Sequence, residues 1–186
     1  MNEVYKVVDD ILPENVITDL ENIFIKNEKF DWYLSSYGTS SKQPISVGED
    51  NKIYEDYQLT HTFYLNGMVG SQNSYIIDSI KDKLNINGIV RAKANLQFKS
   101  SKVIENGYNT PHLDVYDNKD LYIAVLMVNN SDGDTVIFND NKQIRIPFRR
   151  NRIIYLKGGV YHAGNHPKNN DFRIVINFNF YRFINE

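Results

Sequence analysis

At Val90 the hydrophobic period of this chain changes from that of a helix to that of a strand. Val90, Ala92, Ala94, Leu96 and Phe98 alternate with Arg91, Lys93, Asn95, Gln97 and Lys99. Successive side chains of a strand point to opposite faces, so a period of two predicts a strand with one apolar and one polar face. The pattern recurs in short runs after it: Thr110 to Tyr116, Leu121 to Asn129, Thr135 to Asn139, Gln143 to Pro147, Arg152 to Leu156 and Phe172 to Phe180. Asp132-Gly133 carries a hairpin turn signal, and Lys157-Gly158-Gly159 marks another reversal. Many short strands at this spacing predict a sandwich, a jelly roll or a barrel.

The N-terminal half reads differently. In Pro13 to Asn27 the apolar Val16, Ile17, Leu20, Ile23 and Phe24 form one stripe at helical spacing. Ile76, Ile77, Ile80 and Leu84 draw a second stripe in Ser71 to Leu84, with Ser71 or Asn73 as a cap. Between them Ser35 to Tyr57 is polar, holds Gly38, Pro44 and Gly48 and keeps no period, which predicts a long loop, either a lid or a surface connection. At 186 residues with 41% hydrophobic content, the chain is expected to fold as one domain, with helical support and loop over 1–88 and a β core over 89–186. It is mainly β with supporting helices.

Several chemistries are closed to it. There is no cysteine, so disulfides, thiolate metal sites and cysteine nucleophiles are absent, and a metal must be held by His, Asp or Glu. With 21 Lys+Arg against 23 Asp+Glu, no global positive field proposes nucleic acid as a partner. The acidic start of the chain lacks a signal-peptide core, and no run has the length of a membrane span, so the expectation is a cytoplasmic protein with no membrane partner.

Four histidines remain, and one pattern among them bears on chemistry. His112-Leu113-Asp114 lies in a predicted strand, where residues two apart project to the same side and can reach one ion. His162 follows the Lys157-Gly158-Gly159 turn, and Arg173 stands eleven residues further on in an alternating strand. Two imidazoles and a carboxylate can occupy one face of an iron coordination sphere and leave the other free for a co-substrate and dioxygen. Arg173 is placed to hold that co-substrate's far end. Taken singly, each residue has an ordinary reading: a hydrogen-bonded histidine, a turn aspartate, an ion-paired arginine. The weight lies in their conjunction. His61, within the apolar Leu59 to Leu65, reads as core or cavity lining, and His166, in a loop, is the alternative distal ligand.

With these residues identified, the C-terminal half resembles the Fe(II)/2-oxoglutarate-dependent dioxygenase superfamily, in particular its prolyl-4-hydroxylase-like branch. The matching segments are Arg91 to Leu96, Pro111 to Asp114, Val128 to Phe138 and Tyr161 to Phe180. The resemblance implies a double-stranded β-helix (a cupin-like jelly roll) with N-terminal helices packed on one sheet. It makes His112, Asp114 and His162 the iron ligands and Arg173 the partner of the 2-oxoglutarate C5 carboxylate. Several relatives place a tyrosine just before the strand-ending Asn, where this chain has Met127-Val128-Asn129, so that contact to the co-substrate passes to Asn95 or another cavity-facing polar residue. The implied cofactors are Fe(II) and 2-oxoglutarate, with ascorbate as reductant and dioxygen as second substrate. The implied prime substrate is a peptide or small molecule, with a prolyl peptide first, and Tyr108, Tyr116, Trp32 and the 35–57 loop are the candidates for its pocket. Two other readings stand beside this one: a cupin-like metal enzyme independent of 2-oxoglutarate, and a non-catalytic β-sandwich binding module.

Overall fold

A computed structural model describes residues 3–35, 47–114, 120–140 and 142–184. Its strands are β1 (Tyr5–Val8), β2 (Tyr33–Ser35), β3 (Gln58–Leu65), β4 (Met68–Val69), β5 (Ile86–Phe98), β6 (Tyr122–Met127), β7 (Thr135–Asn139), β8 (Lys142–Ile146), β9 (Ile153–Lys157), β10 (Tyr161–Gly164) and β11 (Phe172–Phe183). Eight of them form one antiparallel sheet in the order β1-β9-β6-β11-β5-β3-β2, with β4 also paired to β3. The other three form a second sheet in the order β10-β7-β8.

Two helices cover the large sheet. The predicted stripe in Pro13 to Asn27 folds as α1 (Glu14–Lys26), which buries Ile17, Leu20 and Phe24. The second stripe yields a single 3-10 turn at Gln72–Ser74 and then the short α2 (Tyr75–Ile80). Beyond it the chain turns through Asn85, whose φ of 57° ends the helical run, and enters β5. Ile76, Ile77, Ile80 and Leu84 are all buried, so the stripe packs as expected although the helix is shorter than its pattern. These side chains meet Ala92, Ala94 and Leu96 of β5 and Ile174, Ile176, Phe178 and Phe180 of β11. Each of the Ile, Leu and Phe side chains, buried in full, contributes roughly 1.5–3 kcal/mol.

Parity then decides what the other face of the large sheet carries. If even-numbered residues of β11 face the helices, the odd ones, Arg173, Val175, Asn177 and Asn179, face the small sheet. Their register partners on β5 are Gln97, Asn95, Lys93 and Arg91. At one end, Ile123, Val125 and Met127 of β6 close the space between the sheets with Ile137, Ile146 and Phe148. At the other end that space is polar and open.

Three local expectations differ from the structure. The segment predicted as a strand at Thr110 to Tyr116 forms no ladder where it is described; it makes one antiparallel bridge, His112 with His162. Pro111 has no N–H to give, and the Thr110 N–H is taken by the Glu55 carboxylate at 2.9 Å. Asp132-Gly133 does not close a hairpin, because β6 and β7 belong to different sheets. Instead the Asp132 carboxylate accepts from the backbone N–H groups of Lys168, Asn169 and Asn170. Lys157-Gly158-Gly159 does turn the chain, carrying it from the large sheet to the small one. The N-terminal half adds to its helices and loop the strands β1 to β4, so the large sheet draws on both halves.

Candidate metal centre

His112 and His162 are held face to face by two backbone hydrogen bonds, His112 N–H to His162 O at 3.0 Å and the reverse at 3.1 Å. Their rings stand 4.6 Å apart. Each Nδ1 lies against a carbonyl two residues earlier, Thr110 O at 3.1 Å for His112 and Val160 O at 3.2 Å for His162. A carbonyl only accepts, so Nδ1 is the donor in both rings and Nε2 is the ring atom left to face the site. Asp114, two residues on, turns to the same side, with Oδ1 3.7 Å from His112 Nε2. One ligand atom from each of the three residues lies within 4.8 Å of the others.

The charges favour a cation there. Burial, with His162 alongside, pushes the His112 imidazole down to about 4, so it is neutral and able to coordinate at pH 7. Burial by itself would raise the Asp114 carboxyl, but the Arg91 guanidinium and the two imidazoles outweigh it and hold it well below the usual carboxylate range. Arg91 Nη2 donates to Asp114 Oδ1 at 3.1 Å. With its amide oriented to satisfy both ends, Asn179 donates to Oδ2 at 3.1 Å.

The centre opens into a cavity walled by the odd-parity faces of β5 and β11. Arg173 lies at its far end and is 2% exposed. Its Nη1 is shared among the carbonyls of Asn165 at 2.6 Å, Gly133 at 3.2 Å and Asp134 at 3.3 Å, and its plane rests on Phe148, 5.2 Å from the ring centre. Burial lowers it to about 10, which leaves it charged at neutral pH. Among the described residues it has no carboxylate within ion-pair distance. Gly133, at φ 97°, lets its loop come this close: a Cβ there would lie 2.5 Å from Asn165 O. Around Arg173 the wall holds polar atoms with no partner: Asn95 Oδ1, both ends of the Asn109 amide and Thr135 Oγ1.

No family model and no curated protein matches the chain. Solved structures do. A 2OG-Fe(II) oxygenase family oxidoreductase from Burkholderia pseudomallei superposes with TM-score 0.69 at 10% identity, over 97% of this chain and 86% of that one. A Pseudomonas putida prolyl-4-hydroxylase gives 0.56 at 14% identity, over 97% and 94%. HygX of Streptomyces hygroscopicus, solved with nickel and 2-oxoglutarate bound, gives 0.58 at 8% identity, over 96% and 83%. The fold is that of the 2OG-Fe(II) oxygenases. It is the double-stranded β-helix that the resemblance implied, with helices on the larger sheet.

Within this oxygenase fold, His112, Asp114 and His162 come together, and Arg173 and Asn95 share their cavity. His166 does not join them. It is buried, with Nδ1 on Phe98 O and its backbone N–H on the Tyr54 hydroxyl, each at 2.9 Å. His61 is a core residue, as expected, held between Asp31 O at 2.6 Å and Ser71 Oγ at 2.8 Å. The aromatic pocket candidates fare less well. Tyr108 is fully buried and packs on Val136, Ala163 and Phe138, and Trp32 packs on Phe24 and Phe30 in the core under the helices. Tyr116 and residues 36–46 of the candidate lid lie outside the described residues. Sequence reasoning missed Arg91 and Asn179 as partners of Asp114, and Asn109 and Thr135 beside Arg173. The polar face of β5 was a signal for Arg91; nothing local marked Asn109. Among the described residues no helix is long and apolar enough to cross a membrane.

Proposed function

We propose that this chain is a non-haem Fe(II)- and 2-oxoglutarate-dependent oxygenase that hydroxylates an unactivated C–H bond. In this reading His112, Asp114 and His162 hold the iron, and Arg173 holds the far carboxylate of 2-oxoglutarate. The observation that carries it is a conjunction: three convergent ligand atoms and, in the same cavity, a buried guanidinium that no described carboxylate neutralises.

The donor set fits a ferrous ion. Two imidazoles and one carboxylate on one side of the site are the three-ligand facial arrangement of such iron centres. Their orientation is fixed before any metal arrives, by the Thr110 and Val160 carbonyls on the imidazoles and by Arg91 and Asn179 on the carboxylate. Bound there, iron with 2-oxoglutarate and dioxygen supplies the oxidising power for C–H hydroxylation, with succinate and carbon dioxide as co-products.

What the protein itself does is hold and orient. Arg173 keeps its planar fork rigid through three carbonyls and Phe148, and a carboxylate accepting from it is fixed in direction as well as in place. Asn109 Nδ2 and Thr135 Oγ1, donors without a partner, and Asn95 through its amide nitrogen would complete that contact, in the stead of the tyrosine absent from the position before the strand-ending Asn. The cupin-like alternative supplies the buried Arg173 charge with no anion.

For the prime substrate, the resemblance and the fold shared with a prolyl-4-hydroxylase support a prolyl compound first. The test is turnover. Purified protein with Fe(II), ascorbate and 2-oxoglutarate is expected to form succinate, slowly without prime substrate, and His162→Ala is expected to form none. Equal succinate from both proteins contradicts the reading.

A further inference from the structure

One charge in the cavity is left over. Among the described residues its wall carries three cations, Arg91, Lys93 and Arg173, and one carboxylate, that of Asp114. Arg91 is paired with Asp114 at 3.1 Å. Arg173 is taken up by the co-substrate in the reading above. Lys93 has no hydrogen bond or ion pair among the described residues, although it is mostly enclosed.

An enclosed ammonium with no counter-charge in contact is costly, and the usual outcomes are a lowered pKa or an anion that arrives from outside. Burial, with Arg91 nearby, lowers Lys93 to about 8, which still leaves it largely protonated at pH 7. The residue is placed for work inside the cavity. It lies on β5 between Arg91 and Asn95 and directly opposite Asn177, which lines the same wall. Apolar lining is confined to Leu113, Val125 and Val175, too little for a substrate recognised by its hydrocarbon alone.

We propose that Lys93, with Asn177 beside it, binds a carboxylate on the prime substrate, which is therefore a small anionic molecule such as a free amino acid and not an interior prolyl residue of a neutral peptide segment. The proposal rests on the oxygenase reading, because it assigns Arg173 to the co-substrate and leaves Lys93 for the second anion. Lys93 is then a specificity-determining residue: it selects a substrate that carries a carboxylate and holds that end of it in the cavity.

The test uses the full chain loaded with Zn(II), which does not turn over, with its lysines 13C-dimethylated, a change that keeps their charge. The Lys93 signal is assigned by its loss in Lys93→Met. Saturating 2-oxoglutarate is added first, then acetate, or acetamide as the neutral isostere. The expected result is a saturable shift of the Lys93 signal with acetate at a concentration at least tenfold below that needed with acetamide. Lys93→Met is expected to bind 2-oxoglutarate within twofold of the wild type. A Lys93 signal that moves on 2-oxoglutarate and then ignores acetate assigns it to the co-substrate and overturns the proposal. Equal responses to acetate and acetamide, or no response to either, also overturn it. Failure of the wild type to bind 2-oxoglutarate at all is a different result, and it removes the oxygenase reading itself.

Discussion

Arg91 and Asn179 are direct partners across β5 and β11, and between them they take both oxygens of Asp114. A carboxylate clamped in this way cannot rotate away from the histidines. Removal of the clamp should therefore cost metal affinity without removing a ligand. Arg91→Ala is expected to weaken Fe(II) binding roughly ten- to hundredfold, as measured by anaerobic titration, with an unchanged circular dichroism spectrum. Unchanged affinity would show that Asp114 needs no orientation.

The two candidate distal histidines separate cleanly. His162→Ala should abolish iron binding, since its Nε2 has no substitute among the described residues. His166→Ala should keep the iron, because its Nδ1 is spent on Phe98 O, and should instead lower stability by about 1–3 kcal/mol. Metal analysis and denaturant unfolding of the two variants check this, and the reverse pattern would exchange their roles.

Arg173→Ala should retain iron and lose co-substrate. Truncation of one side of a buried charged pair costs about 2 kcal/mol or more, equivalent to roughly thirtyfold in Kd. Calorimetric titration of the Zn(II)-loaded variant with 2-oxoglutarate gives the number, and wild-type affinity would remove the residue from the site.

Acid should act on the metal-free protein through His112. Its folded pKa, about 4, lies below the unfolded value of 6.5, so between those values the unfolded chain takes up a proton that the native state refuses. Stability is then full above pH 6.5 and falls as the pH drops toward 4. His112→Asn should flatten that part of the curve of stability against pH. An identical slope in the variant would place the effect elsewhere.

Gly133 supports the site from behind. In Gly133→Ala the new Cβ meets Asn165 O in a backbone conformation that suits only glycine, and the carbonyls of both residues belong to the cradle of Arg173. We expect a loss of more than about 1 kcal/mol in denaturant unfolding, together with weaker 2-oxoglutarate binding. A variant as stable as the wild type would contradict the close approach.

The parts of this fold legible in the sequence are those where local pattern and tertiary role coincide. The stripe of Ile17, Leu20 and Phe24 specified α1 because the same residues that favour a helix bury it. The i, i+2 placement of His112 and Asp114 held although their segment forms no ladder, since one bridge to His162 is enough to set the backbone extended. What alternation left open is the medium that a polar face meets. On β5 the polar parity faces a cavity, so its polar residues line that cavity, with Arg91 paired to Asp114, instead of forming solvated surface. Asn109 was invisible for another reason: it is placed by the N–H···O bond to Gly164, 55 residues later, which no local pattern announces. Asp132-Gly133 carried a genuine turn signal, but a turn between two sheets differs from a hairpin only in where the strands go afterwards.

The most direct test of the account is an anaerobic titration of the Fe(II)-loaded protein with 2-oxoglutarate, followed in the visible spectrum. The account predicts a weak charge-transfer band that saturates at one equivalent, is absent in His162→Ala and needs much more co-substrate in Arg173→Ala. A protein that binds no Fe(II), or binds it and gives no band at any 2-oxoglutarate concentration, would contradict it.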